Sequence, residues 1–299
     1  MVRVKGARWP DLFVVGAPRA GTSSLADYLD QHQQIFMSRL KEPHFFTELK
    51  PDFLPVVSGE QAYLRLFSRA EEDQLLGEAS SSYLADPTAP GRIVGANSRA
   101  RILIVLRDPV ARAYSAHWHS VRYGRERRPF LGAIRAQLDD PRLRSPSTEA
   151  GSWYLGAGQY PAHVKRYMKT FGDRVLVLLF EELTDETRTA MRRTFEFLGV
   201  DADVADRVRP RVRNAGSLPR NPLFRRLYRS ARVRATGRSV VPASLQPALE
   251  RVLLRRGGFP PMDPEARRLL EEFYAPEVPA LERLLGCTLP WASAGTGGA

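Results

Sequence analysis

The stretch VVGAPRAGTSSLADYL, Val14 to Leu29, constrains the fold most. An apolar run enters a glycine-bearing loop, and the loop opens an amphipathic segment. That is the order strand, tight turn, helix. Gly16 and Gly21 are separated by four residues and followed by Thr22 and Ser23, close to the phosphate-cradling pattern Gly-x-x-x-x-Gly-Lys-Ser/Thr. The lysine of that pattern is absent. Thr22 occupies its place, and the nearest cation is Arg19.

Four more apolar runs repeat the strand signal: QIFMS (34–38), QLLGEAS (74–80), RILIVLRD (101–108) and RVLVLLFEEL (174–183), after DLFVVGA (11–17). They are mostly continuous rather than alternating, as in a parallel sheet covered on both faces. Helical patterns separate them. Thr22 or Ser23 is expected to cap a helix running to about His32. Pro109 suits a first helical turn with Asp108 as its cap, YPAHVKRYMKTF ends at Gly172, and DETRTAMRRTFEFLGV follows the fifth run. The alternation predicts an α/β fold, a doubly wound parallel sheet flanked by helices. After Val200 the chain reads as helical and arginine-rich without strand signals: RVRNAGSLPRNP as a loop, then LFRRLYRSARVRATG, LQPALERVLLRR and PEARRLLEEFYAPEVPALERLLG as helices. One domain over 1–292 and a disordered tail over 293–299 are expected.

The 299 residues, 43% hydrophobic, support a sizeable core, and no apolar run is long enough to span a membrane. The single cysteine, Cys287, excludes an intrachain disulfide framework and a multi-cysteine metal site. A cytoplasmic protein is expected, and the Ala-, Arg- and Pro-rich composition suggests a high-GC bacterial genome. The net charge of +12 fits nucleic acid, a multiply anionic small molecule or an acidic acceptor. With no nucleic-acid module and no basic low-complexity tail, nucleic acid is not expected as the main partner.

The glycine loop offers an anion site: backbone N–H groups at a helix start, close approach at Ala20 and Gly21, hydroxyls on Thr22 and Ser23, and the charge of Arg19. In a triphosphatase a later strand would end in a metal-holding Asp. Here RILIVL ends on Arg107, a second cation at the ligand edge of the sheet, with Ser115 eight residues on. This favours a second phosphate over a metal. His117 and His119 stand two apart on one helix, so they face different ways and are not expected to bind a metal together. Trp118 reads as core.

Two anion sites, no metal signature and a P-loop-like turn without its lysine resemble the sulfotransferases that use 3′-phosphoadenosine-5′-phosphosulfate (PAPS) and release 3′-phosphoadenosine-5′-phosphate (PAP). GAPRAGTSSL resembles their 5′-phosphosulfate loop. RILIVLRDPVARAYSAHW is similar to their 3′-phosphate segment, with Arg107 and Ser115 on the matching positions. KEPHFF (41–46) resembles the segment that carries the catalytic glutamate in the glycan-type branch. GQYPAHVKRYMKTFGDRVLVLLFEEL and the ending LERLLGCTLPW resemble that branch as well. The likeness is most specific over the first 120 residues and 158–200, and weakest over about 215–262.

The resemblance implies a P-loop-like fold and sulfuryl transfer without a metal. Glu42 is then the general base, with Arg19 holding the sulfonate and leaving group, and Arg107 and Ser115 the 3′-phosphate. Asn214, Ser217 and Arg220 fall where such enzymes fold a late loop over the nucleotide. His44 is the rival base, or orients Glu42 or packs with Phe45 and Phe46, and it is expected with Phe45, Trp153 and Tyr154 on the acceptor side. Phe45, Phe46, Trp153 and Tyr154 are candidates either for an acceptor pocket or for the core. KEPHFF follows a strand expected to neighbour the donor loop. Two positions depart from the pattern: Arg19 stands where many glycan-type members have lysine, and Ala79 replaces another lysine that shapes their substrate cleft. The expected acceptor is a hydroxyl of a small molecule, glycan or glycolipid. The competing readings are a P-loop kinase and a non-catalytic nucleotide-binding protein.

Overall fold

The computed structural model describes residues 8–49, 57–144, 153–210, 217–219, 254–256 and 259–291. Five parallel strands form one sheet: β1 (Leu12–Gly16), β2 (Ile35–Met37), β3 (Leu75–Ala79), β4 (Arg101–Leu106) and β5 (Val175–Leu179), in the order β2-β3-β1-β4-β5. β1 and β4, at the centre, are almost wholly buried, as their unbroken apolar runs require.

The strand order fixes the layers. The chain leaves β1 through α1 (Thr22–Leu29) toward the β2 edge, then returns through α2 (Glu60–Leu64) and α3 (Ala89–Ala96) and crosses to β4. Right-handed crossovers in opposite directions lie on opposite faces of the sheet. Accordingly α3 packs on α6 (Tyr160–Phe171), the helix before β5. On the other face the end of α1 is tied to the segment after α8 (Thr187–Leu198) by His32 Nε2 and the Asp201 carbonyl, 2.9 Å. The sense of winding reverses between β1 and β4, so a crevice opens outside their carboxyl ends.

α4 (Pro109–Arg122), α5 (Phe130–Asp139) and α9 (Pro264–Tyr274) enclose a second core of Val110, Ala113, Ile134, Tyr154, Leu270 and Tyr274. α10 (Glu277–Leu285) packs on α6.

Several local expectations are corrected. The fifth strand stops at Leu179, and Phe180–Asp185 forms α7, because the Glu182 carboxylate accepts the Leu179 N–H at 2.6 Å and starts a helix there. α1 begins at Thr22 after Gly21, with no side-chain cap from Thr22 or Ser23, and ends at Leu29. The last predicted helix divides into α9 and α10 around Pro276. Residues 254–256 are extended, not helical: strands β6 (Ser217–Pro219) and β7 (Leu254–Arg256) pair antiparallel. The remaining expectations for 220–253 and the tail 293–299 lie outside the described residues. As expected, Asp108 caps α4 through the Val110 N–H, 2.9 Å, with Pro109 in the first turn.

Candidate active site

The loop between β1 and α1 stands at the mouth of the crevice. Gly21 has φ +98, which disfavours a side chain, and a Cβ there would sit 3.0 Å from the Phe180 ring. The Thr22 and Ser23 N–H groups belong to the first turn of α1, whose donors have no intrahelical acceptor. Arg19 has left-handed backbone, φ 70. Its side chain crosses to α4, where Nε donates to Ser115 Oγ at 3.3 Å and Nη1 meets His119 Nδ1 at 3.2 Å. Ser115 and His119 are one helical turn apart, so one face of α4 receives the guanidinium. Burial and then the Arg107 charge lower the Arg19 pKa to about 10. Burial, with Arg19, Arg125 and Arg122, drives the His119 imidazole down to about 3. His119 is therefore neutral and accepts from Arg19.

Arg107 leaves the end of β4 on the other side of the crevice. Its guanidinium lies 4.5 Å over the Phe180 ring, and Nη1 donates to the Arg19 carbonyl at 3.4 Å. Burial lowers its pKa too. Tyr160 fixes the backbone by donating to the Arg107 carbonyl at 2.9 Å. Phe180 thus lies against both Gly21 and the Arg107 guanidinium.

β2 is not the neighbour of β1 that the sequence predicts; β3 lies between them. The KEPHFF turn still reaches the loop, because the chain after β2 crosses the end of β3. The Glu42 N–H donates to the Ala79 carbonyl at 3.0 Å, and Lys41 Nζ donates to Ser23 Oγ. Ala79 itself is buried. Glu42 Oε1 accepts from Ser81 Oγ at 2.7 Å. Its Oε2 lies 3.5 Å from His44 Nε2, which has no closer partner, while His44 Nδ1 meets Ser82 Oγ at 2.7 Å. Burial pushes the Glu42 carboxyl up, but hydrogen bonds from His44 and Ser81 and the Lys41 charge outweigh it and hold the group at about 2. The side chain keeps 22% exposure, against 2% for His44, so Glu42 is the one that can meet a ligand.

Arg19, Ala20, Gly21, Thr22, Ser23, Arg107, Ser115, Glu42 and His44 are therefore gathered at one edge of the sheet. The aromatic candidates are not. Phe46 and Tyr154 are buried in the two cores. Phe45 stacks on Tyr63 at 4.3 Å, and Trp153, half-buried, gives its carbonyl to Arg112. Packing accounts for Phe45, Phe46 and Tyr154. Trp118 stacks on Phe259 at 5.8 Å, the packing role the sequence predicts. His117 turns into the second core while His119 turns to Arg19. Asn214 and Arg220 lie outside the described residues. Ser217 is described by its backbone alone, in β6, which runs beside α4.

Sequence reasoning missed Lys41, His119, Phe180 and the serines Ser80 to Ser82. The serines carried a signal: three hydroxyls follow a buried strand at its ligand edge. Phe180 was hidden by its assignment to the strand. Among the described residues no group of three or more His, Cys, Asp or Glu could hold a metal ion, and no helix is long and apolar enough to cross a membrane.

Comparison with known proteins agrees with this geometry. The family model described as a sulfotransferase domain matches residues 9–215. Mouse heparan sulfate glucosamine 3-O-sulfotransferase 3A1 is 26% identical over 200 residues, covering 66% of this chain and 48% of that protein. The chain spans about half the length of that curated relative. A sulfotransferase structure from Alicyclobacillus acidocaldarius is 32% identical with a TM-score of 0.70, covering 94% of this chain and 97% of the other. A mouse sulfotransferase solved with PAP shares the fold at 15% identity and a TM-score of 0.50, over 94% and 89% of the two chains. With more than half of its length matched by the family model, the chain belongs to the sulfotransferase-domain family.

Proposed function

We propose that this chain is a PAPS-dependent sulfotransferase that moves a sulfuryl group to a hydroxyl of a small molecule, glycan or glycolipid. One observation carries the reading: Arg19 and Arg107, joined by a hydrogen bond on the loops that flank the β1/β4 crevice, share that edge with the ionised Glu42, whose neighbour Lys41 donates to Ser23 of the same loop. The residues present fit the donor. Gly21 gives the loop its left-handed turn against Phe180, the Thr22 and Ser23 N–H groups with the Ser23 hydroxyl and Arg19 would hold its 5′ end, and Arg107 with Ser115 its 3′-phosphate. Asn214, Ser217 and Arg220 belong to the late loop that would cover the nucleotide. When bound, PAPS supplies an activated sulfonate with a phosphate leaving group.

The chain's own residues supply the rest. Glu42, ionised at neutral pH, accepts the proton of the acceptor hydroxyl while that oxygen bonds to sulfur. A carboxyl at about 2 is a weak base. An adjacent sulfonate and phosphate raise it, since like charges disfavour ionisation. His44 and Ser81 orient the carboxylate. Arg19, docked on Ser115 and His119, and the loop N–H groups stabilise charge on the leaving oxygen without reorganising. The curated relatives named for heparan sulfate do not extend that acceptor to this chain, because Ala79 lies beneath the Glu42 turn. The single cysteine fits a reducing, cytoplasmic setting in a bacterial cell.

The test is thermal stabilisation by PAP against ATP, ADP and NAD, followed by transfer from radiolabelled PAPS to a panel of glycans, glycolipids and small alcohols and phenols. Selective stabilisation by PAP supports the reading by mass action. Magnesium-dependent preference for ATP would move it to a kinase. Binding of oligonucleotides with steep salt dependence, and no turnover, would make it a binding protein.

A further inference from the structure

Glu78, on β3, is wholly buried and has no role in the chemistry above. Its Oε2 accepts from the Tyr63 hydroxyl at 2.5 Å and the Tyr83 hydroxyl at 3.2 Å, while Oε1 has no hydrogen-bond partner. A buried, half-satisfied carboxyl is costly, and a leucine would pack the same space. Its surroundings give it a use.

Above Glu78 lies the KEPHFF turn. Glu42 and His44 both hold left-handed backbone, φ 59 and 51, which non-glycine residues adopt only when their surroundings impose it. Three alternate N–H groups pin the turn in that shape. Glu42 N–H donates to the Ala79 carbonyl at 3.0 Å, His44 N–H to Ser80 Oγ at 3.1 Å, and Phe46 N–H to the Tyr83 hydroxyl at 3.2 Å. A hydroxyl receives an N–H well only when its own proton points elsewhere. The Tyr83 proton goes to Glu78. Tyr63, the other donor to Glu78, carries Phe45 stacked on its ring.

We propose that Glu78 is a positioning residue: it takes the proton of the Tyr83 hydroxyl, so that a Tyr83 lone pair receives the Phe46 N–H and anchors the end of the Glu42–His44 turn. Its effect on catalysis rests on Glu42 being the base. Burial pushes the Glu78 carboxyl up to about 7, and the hydrogen bonds from Tyr63 and Tyr83 pull against that rise, as they must if they favour its acceptor form.

The test is Glu78→Leu, which fills similar space and leaves the Tyr83 hydroxyl no carboxyl to donate to; Glu78→Gln, which keeps one acceptor oxygen for both tyrosines, should preserve the turn. Three readouts separate positioning from mere structure. Amide hydrogen exchange over residues 40–48 should accelerate about ten-fold or more, as expected for a local opening made easier by the lost acceptor. PAP affinity by calorimetry should stay within about two-fold, because the donor loop does not contact Glu78. Turnover of PAPS with an acceptor found in the panel should fall about 10²-fold, the scale of a 1 Å misplacement of a reacting group. Tyr83→Phe should reproduce the exchange effect at Phe46, and it stands in if Glu78→Leu fails to fold. In a Glu42→Gln background, Glu78→Leu should lower turnover no further. Unchanged exchange at residues 40–48 overturns the proposal. So does a fall in PAP affinity that matches the fall in turnover, or an additive double variant. If Glu42→Gln alone remains fully active, the base assignment fails, while the exchange result still decides whether Glu78 holds the turn.

Discussion

Arg107→Ala offers the most direct test of the nucleotide site. Arg107 has one long hydrogen bond, 3.4 Å to the Arg19 carbonyl, and rests on the Phe180 ring. Burial and then nearby charges set its pKa, with Glu181, Tyr160 and Asp108 raising it and burial and Arg112 lowering it. A dianionic phosphate here would restore solvation that burial removes. Losing a hydrogen bond to such a charged group costs roughly 1.5–3 kcal/mol, or about ten- to a hundred-fold in Kd. Calorimetry should show that loss for PAP and little change for adenosine 5′-monophosphate, which lacks the 3′-phosphate. Arg107→Lys should recover only part of the affinity, because an ammonium neither stacks on Phe180 nor forks around a phosphate. Equal wild-type affinity for the two nucleotides, or an equal loss for both in Arg107→Ala, would refute the assignment.

Arg19→Ala should cripple turnover, whereas EDTA should leave the wild type active, since a cation stands at the strand end where a metal-binding carboxylate would be; abolition by EDTA would point to metal-assisted transfer. Glu42→Gln should lower kcat by roughly 10²–10⁴ with PAP affinity unchanged, and a normal kcat there with loss in His44→Ala would make His44 the base. Stability should respond to both carboxyls. Glu42, at about 2 against 4.5, contributes stability present above pH 4.5 and lost as the pH falls through 2. Glu78, at about 7 against 4.5, contributes stability present below pH 4.5 and lost as the pH rises through 7. The Tm of the wild type should therefore fall relative to Glu78→Gln between pH 4.5 and 7, and parallel curves would contradict this.

The sheet was legible because its strands are continuous apolar runs that only a two-sided burial explains, and the glycine loop because Gly21 needs a backbone that side chains resist. Arg107 was legible for a related reason: a cation directly after a buried strand can only emerge at the ligand edge. Strand order was less legible. Nothing in the run QIFMS states that β3 will insert between it and β1, so Glu42 was expected one strand nearer the loop than it lies. Phe180 failed for a local reason, since apolar continuity cannot distinguish a strand from the first turn of the helix that follows it. Lys41 and His119 are visible only once α4 and the KEPHFF turn are brought to the same loop.

Backbone strain identifies the site by a route independent of any motif. Among the described residues three non-glycine positions have left-handed backbone, and they are Arg19, Glu42 and His44. Residues of this kind persist where surrounding bonds over-determine them, and here those bonds can be named. Arg107 grips the Arg19 carbonyl, Ala79 and Ser80 grip the Glu42 and His44 N–H groups, and the Tyr83 hydroxyl, which donates to the buried Glu78 carboxyl, grips the Phe46 N–H. The side chains that approach a donor and an acceptor are thus fixed through the main chain rather than through their own rotamers alone. A cation and a carboxylate held in this way need little rearrangement as charge develops, which is the condition under which fixed dipoles and charges accelerate a group transfer most. Substitutions that relax the turn without touching Glu42 should therefore slow the chemistry while sparing nucleotide binding.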